Sequence, residues 1–567
     1  MKFDNDYWHT MDEDKVGILP KYIAFTTHPA KDQLQETKAK IFQGASKIEL
    51  GFTGRGKPSL ARGETTPGLF GKEHREALKQ IAKVNEVELT THATLAVSGL
   101  AGVTREGHFS ENAREDSVSE IKQAIEFNAD VGGGAVVVHT GEFNRPTKVS
   151  KEFASFGEGL PQSLVDNRTG QAVIQYNKNT EIEVPIYEPD PKTGKLEMKQ
   201  ETLKFGDYDI NTAKEKYKKW VNDQVDMERG RSEEYQRMAG RLNEVYNEYE
   251  NGNKFKKLKI LEDTGIIKNI MGKAKSDDEV FELGKKELEG QRNEYMHLVS
   301  GFHQAVLKNE AMAGNLATAE EYARKKTAQS LAEAGLYAME QTRQKKVERP
   351  IFIAPENIFP EQYGGHPQEL KRIVLDSREE MKKMLIQKGK SESEAKRLSE
   401  QHIKATFDIG HANTWKKYFK GDPNKSDEEN DKEWKKWLIN QTKDLLKHNV
   451  IGHVHITDNM GYADDHLPPG EGTVPFKEFT KALKEGGYKG TIVAEGGDWE
   501  HQNLLGAWRT LNSPIYRVDG TSKTWTDIED SYLGRTHSPV YLVGQVAPSE
   551  EFRGMEGKPM WSGIPLE

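Results

Sequence analysis

The chain has 567 residues, a formal net charge of −9 and a pI near 6.1, so no global basic field draws it to nucleic acid and such binding needs a local patch. It contains no cysteine, which excludes disulfides, thiolate metal sites and cysteine nucleophiles and fits a cytoplasmic location. The N-terminal MKFDNDYWHTMDEDK has no apolar run of the signal-peptide kind, and no window approaches the ~18 apolar residues of a membrane span.

In chain order, short β-branched runs alternate with amphipathic stretches. YIAFTTH (22–28) reads as a strand, KDQLQETKAKIFQGA (31–45) as a helix and SKIELGF (46–52) as a second strand. The loop GRGKPSLARGETTPG follows, then a helix over 70–85 and the strand VELTTHA (87–93). A helix is predicted over 117–132, with Ser117 as its N-cap and Gly132 near its end. AVVVHTGEF (135–143) is the fourth strand, and its Val run suits burial on both faces of a parallel sheet. Such alternation predicts βαβ units.

Residues 144–314 break this rhythm and are expected to form an inserted α+β subdomain. AVIQYNKNTEIEVPIYEP and KLEMKQETLKF, split by DPKTGK, read as one small antiparallel hairpin. Residues 211–250 and 278–310 are charged and helix-prone, and Tyr217, Trp220, Val221, Tyr235, Met238, Leu242, Val245 and Tyr246 recur at the spacing of one buried helical face. That face fits either a self-contained helical hairpin or a contact with the barrel rim or a second copy, which would make the insert a gate or a homo-oligomer interface. The alternation resumes with a helix over 319–344 and the strands PIFIAPEN (350–357), KATFDIGHAN (404–413), IGHVHITDN (451–459) and GTIVAEGG (490–497). Eight strands are the number of a (β/α)₈ TIM barrel of roughly 250 residues, interrupted after strand 4 by a mainly helical insert with a small β-hairpin. Residues 20–143 and 315–512 are its two halves, and 513–567 a Gly-, Pro- and Ser-rich C-terminal extension.

Nine potential ligands stand at or just after these strand ends: His92, His139, Glu356, Asp408, His411, His455, Asp464, His466 and Glu495. Barrels of this kind build their sites at the C-terminal strand ends, so the nine converge. Imidazole and carboxylate without sulfur suit Zn²⁺, with Mn²⁺ or another divalent ion as the alternative. Several buried carboxylates around one mouth repel each other unless cations balance them. His453, two residues before His455, faces the same side and is a candidate for packing or substrate contact. Arg55, Lys57, Arg62 and Arg75 are candidates for a phosphate-binding edge. His74, His402 and His501 fall on or near helices and are expected to face solvent; His108 falls in a loop.

The motifs THA, VVHTGE, PEN, FDIGHAN, HVHITDN, DDHLPPGEG and VAEGG resemble those of the endonuclease IV and sugar isomerase/epimerase superfamily of xylose isomerase-like barrels. Endonuclease IV enzymes cleave the phosphodiester 5′ to an abasic site with three Zn²⁺ ions. That resemblance implies two or three ions held by the nine residues, with Glu356 bridging two of them, and DNA as the partner. The sugar isomerases and epimerases generally use one metal, which would fall to Glu356, Glu495, Asp408 and His455, the two glutamates moving a proton on and off carbon. The complete nine-residue set implies the hydrolase, whereas the segment after His92, ATLAVSG, lacks the aromatic residue the repair enzymes place there and points to a sugar substrate. A non-enzymatic scaffold on a retained barrel is the third alternative, and degraded ligands, which would mark it, are absent from the nine positions.

Overall fold

The computed structural model describes residue 18 and residues 22–56, 63–104, 106–144, 162–176, 181–189, 196–204, 210–496, 506–508 and 510–511. Lys57, Arg62, His501 and the extension from 513 lie outside them. The chain divides into two compact units, Pro161–Thr318 and the remainder.

Numbered along the chain, the strands are β1 (Ile23–Thr26), β2 (Lys47–Phe52), β3 (Glu88–Thr94), β4 (Gly133–His139), β5 (Gln162–Asp166), β6 (Ala172–Tyr176), β7 (Glu181–Pro189), β8 (Leu196–Lys204), β9 (Leu316–Thr318), β10 (Arg349–Glu356), β11 (Ala405–Asp408), β12 (Ile451–Ile456) and β13 (Ile492–Ala494). In the larger unit β1, β2, β3, β4, β10, β11, β12 and β13 close in that order into a barrel of parallel strands. The expected junction across the insert is present: β4 and β10 are neighbours, with Val137 opposite Ala354 and His139 opposite Glu356. β4 runs from Gly133, which with Gly132 and Gly134 holds φ of 83°, 137° and 99°, a left-handed stretch that a side chain would strain. Burial of Ala135, Val136, Val137 and Val138 on both faces explains the uninterrupted Val run.

Helices cover the outside. Ala319–Gln344 buries Tyr322, Leu331 and Ala338, Pro367–Gln387 buries Leu370, Val374 and Met381, and Asp427–Lys447 buries Trp434, Leu438 and Leu445. Each Leu, Val or Met among these contributes about 1.5–3 kcal/mol by leaving water.

Two local expectations are corrected. The helix predicted from Ser117 runs over Glu111–Val131, with Ser110 as N-cap accepting from the Ala113 amide. Ser117 instead donates its hydroxyl back to the Ala113 carbonyl at 2.8 Å, as a serine inside a helix does. His402 is buried at the end of the helix Glu392–His402, its Nδ1 2.6 Å from the Ile351 carbonyl, so it does not face solvent.

In the smaller unit the hairpin reading is half right. β7 and β8 pair antiparallel over their full length, but Ala172–Tyr176 pairs with β5, which also pairs with β9. The two long helices are Ile210–Glu250 and Asp277–Gly314. Arg229–Glu310, Tyr235–Phe302 and Tyr246–Arg292 contacts run in reversed order along them, so the helices are antiparallel partners. Tyr217 and Val221 are buried with Leu164 and Ala313, and Tyr249 with Leu261 and Leu288, so the two ends of this face are covered from within its own unit, while Met238 between them is exposed. Among the described residues no helix is long and apolar enough to cross a membrane.

Candidate metal centre

Register gathers the strand-end ligands into one layer. His139 lies opposite Glu356, Asp408 opposite His455, and His455 opposite Val493, two residues before Glu495. Glu356, Asp408 and His455 are completely buried. Three adjoining groups result, each with ligand atoms close enough to share one ion: His92 with His139 and Glu356; Glu356 with Asp408, His455 and Glu495; and His411 with His466 and Glu495.

Glu356 joins the first two. Its Oε2 faces His92 Nε2 at 3.4 Å and His139 Nε2 at 3.8 Å, while Oε1 faces His455 Nδ1 at 3.0 Å and His411 Nδ1 at 3.5 Å. His455 Nδ1 also lies 2.8 Å from Glu495 Oε1. Asp464 adds a carboxylate to the third group, with Oδ2 3.2 Å from His411 Nε2 and 2.9 Å from His466 Nε2.

The surroundings set which nitrogen each histidine presents. His92 Nδ1 meets the Ala93 carbonyl at 2.8 Å and His411 Nδ1 the Asn357 carbonyl at 2.9 Å, which frees Nε2 of both rings. Asn357 also donates to the Asp408 carbonyl and accepts the Asp408 amide, locking β10 to β11 beside the ligands. Asp408 Oδ1 accepts the His411 amide at 2.8 Å, and Thr457 donates to the same oxygen at 3.2 Å. The loop that carries Asp464 and His466 is tied at its base by Asp458, whose carboxylate accepts the amides of Asn459, Gly470, Gly472 and Val474. Within that loop His466 sits at φ 47°, a conformation costly for a non-glycine residue.

Charge tests whether the group fits a cation. Burial, with the charges of Glu356 and Glu495, lifts the Asp408 carboxyl to about 6 against the pull of His411. Burial disfavours imidazolium at His455 and His411, yet the carboxylates around them outweigh it and raise both well above the usual histidine value. Burial likewise opposes the charge of His466, but the Asp464 hydrogen bond and charge raise it to about 9. Burial and the neighbouring His92 lower His139 to about 4. The carboxylates therefore recruit protons as counter-charge, a role divalent ions fill when histidine is neutral and free to ligate. Among the described residues Glu356 Oε2 and Asp464 Oδ1 are buried without a hydrogen-bond partner, as oxygens that serve a cation would be. The donor set matches Zn²⁺ or Mn²⁺.

Sequence reasoning missed Glu49. It is fully buried in β2, with Oε2 2.8 Å from His453 Nε2 and Oε1 2.9 Å from His455 Nε2. Its signal was the one acid inside KIELGF, a strand otherwise buried and apolar after its first residue. His453 packs deep in the barrel against Glu49 rather than at the mouth. Arg55 is exposed and reaches the Ser117 hydroxyl at 3.3 Å. Arg75 is engaged by Asp130 and by the Phe70 and Pro67 carbonyls, so it braces the fold instead of offering a phosphate edge. His74 and His108 are exposed.

Residues 292–509 match the xylose isomerase-like TIM barrel family. Over 102 residues the chain is 38% identical to an uncharacterized protein of Methanocaldococcus jannaschii, a stretch that makes up 18% of this chain and 28% of that protein. The chain spans well under half the length of that relative. Among solved structures it is similar to a D-tagatose 3-epimerase-like protein (16% identity, TM-score 0.35, covering 86% of this chain and 94% of that one). It is likewise similar to endonuclease IV from Thermus thermophilus (9% identity, TM-score 0.34, covering 86% and 97%) and to an L-ribulose 3-epimerase (10%, 0.35, 88% and 99%). At these scores the neighbours do not separate one activity from another. The closed eight-stranded parallel barrel is that of a TIM barrel, and over residues 292–509 the chain is similar to the xylose isomerase-like family of such barrels.

Proposed function

We propose that this barrel is a divalent-metal-dependent phosphodiester hydrolase of the endonuclease IV type, with an abasic or otherwise damaged DNA strand as substrate. The observation that carries the reading is the Glu356 carboxylate, whose two oxygens face two different histidine groups, His92 and His139 on one side and His455 and His411 on the other. A one-metal centre has no use for that division. His92, His139 and Glu356 would hold one ion, Glu356, Asp408, His455 and Glu495 a second, and His411, Asp464 and His466 a third. When bound, such ions lower the pKa of water to supply a nucleophile and neutralise charge on the attacked phosphate.

The chain's own residues do the rest. The carbonyls of Ala93 and Asn357 aim His92 and His411, and Thr457 and the His411 amide fix Asp408, so the ligands are positioned before any ion arrives. Glu495 is 13% exposed at its side chain and borders the open side of the centre, where it can exchange a proton with a leaving group.

The four-residue group Glu356, Asp408, His455 and Glu495 supports a second reading, isomerisation or epimerisation of a sugar or sugar phosphate at one metal. Incubating metal-loaded protein with an abasic-site duplex, and in parallel with a panel of ketoses in D₂O, separates the two. Strand cleavage that disappears in Glu356→Gln supports the hydrolase. Deuterium entering a sugar at carbon, without strand cleavage, refutes it. Elemental analysis finding two or three ions per chain supports the multi-metal centre, and at most one favours the isomerase.

A further inference from the structure

The three best-buried histidines of the centre do not present the same nitrogen. His92 and His411 engage backbone carbonyls through Nδ1 and turn Nε2 toward carboxylates. His455 is reversed: Nδ1 faces Glu356 and Glu495, and Nε2 points down into the barrel at Glu49. Among the described residues the buried His455 Nε2 and Glu49 Oε1 have no other hydrogen-bond partner, and with each other they meet in distance, 2.9 Å, but not in angle.

Glu49 is itself held from three sides. Its other oxygen accepts from Thr90 Oγ1 at 3.1 Å and lies 2.8 Å from His453 Nε2, and its strand position is fixed by register, Glu49 opposite Thr90. A carboxylate with no exposure is costly unless something requires it there. His453 alone would be satisfied by a neutral acceptor. What only a carboxylate in this position supplies is a second oxygen for the proton of the His455 ring, on the nitrogen away from the ligand cluster.

We propose that Glu49 is a positioning residue for the metal centre: it accepts a hydrogen bond from the Nε2–H of His455 and so keeps the proton there, leaving the lone pair on Nδ1 aimed at the ion shared by Glu356, Asp408 and Glu495. His453 and Thr90 hold Glu49 in turn, forming a support that runs from β2 and β3 through β12 to the centre. This inference rests on the metal reading above. It assigns Glu49 no contact with substrate.

The test uses full-length protein loaded with Zn²⁺. Removing a partner that orients a metal-bound histidine typically weakens affinity about 10–100-fold, so Glu49→Gln is expected to lose Zn²⁺ affinity by that factor in competition with a chromophoric chelator, at unchanged stoichiometry. His453→Gln, which leaves the Glu49–His455 pair in place, is expected to lose much less. Long-range ¹H–¹⁵N spectra of histidine-labelled wild type supply a readout that needs no destabilising variant: the His455 proton is expected on Nε2 and the ion on Nδ1. An ion on Nε2 overturns the proposal even if Glu49→Gln fails to fold. Wild-type affinity in Glu49→Gln overturns it as well, and loss of one whole ion with the others unaffected makes Glu49 a ligand instead. A wild type that binds no divalent ion refutes the metal reading and this inference together, whereas the other three outcomes leave that reading standing.

Discussion

Glu142 follows β4 and is almost completely buried, with Oε2 accepting the backbone amides of Leu100 at 2.8 Å and Ala101 at 2.7 Å. Burial outweighs those bonds and pushes its carboxyl from the ordinary 4.5 up to about 7. The native state therefore keeps a proton between pH 4.5 and 7 that the unfolded chain has released, so stability falls as pH rises through that window and is flat above it. A displacement of that size corresponds to an upper figure of about 3 kcal/mol. Glu142→Gln keeps the shape and an acceptor oxygen but cannot ionise. The variant is expected to match wild type near pH 4.5 and to exceed it by up to about 3 kcal/mol at pH 8, a rise in Tm of roughly 5 °C. Thermal unfolding of both proteins across that range gives the difference directly, and the histidine-rich centre, common to both, cancels. Parallel curves from pH 5 to 8, or a variant less stable at pH 8, would refute the reasoning.

In Glu356→Gln the metal-free protein is expected to lose stability near neutral pH, since His455 and His92 lose the carboxylate that balances them, while added Zn²⁺ raises Tm less than in wild type; a full wild-type rise on Zn²⁺ addition would show that Glu356 is not a ligand. A methyl group added at Gly410 would collide with the Thr457 hydroxyl and carbonyl, and Thr457 holds Asp408, so Gly410→Ala is expected to cost about 1–3 kcal/mol and at least tenfold in Zn²⁺ affinity, measured by unfolding and chelator competition. His402→Ala leaves the buried Ile351 carbonyl unpaired and is expected to cost about 1–3 kcal/mol in denaturant unfolding with no change in bound metal.

The barrel was legible because its strands are buried on both faces and their last residues change abruptly from β-branched to ligating types, as in AVVVH and TFDIGH. Proximity was legible too: once the strands lie in parallel, their ends meet. Glu49 escaped because it sits in the middle of its strand, and a single inward acid is recognisable only when His453 and His455 are seen opposite it. His402 was misread because helix position alone does not reveal that its ring reaches a carbonyl of β10. Ala172–Tyr176 was joined to the hairpin that follows it, whereas it pairs back onto β5, whose other neighbour β9 lies about 150 residues further on, a pairing that no local pattern encodes.

The Asp458 tie divides its loop into parts with different freedoms. Four amides from residues 459 to 474 converge on one carboxylate, which fixes where the loop leaves and rejoins the barrel. Between those anchors Met460 and Tyr462 are exposed, while Asp464 and His466 turn inward. The outward positions can therefore be exchanged to meet a different substrate without moving the inward pair. Closing the loop at its base also removes most of the chain entropy that two ligands on a free loop would lose on capturing an ion. A change at Asp458 would free the whole segment at once, so altered specificity has an accessible route through the loop's tip and a damaging one through its root.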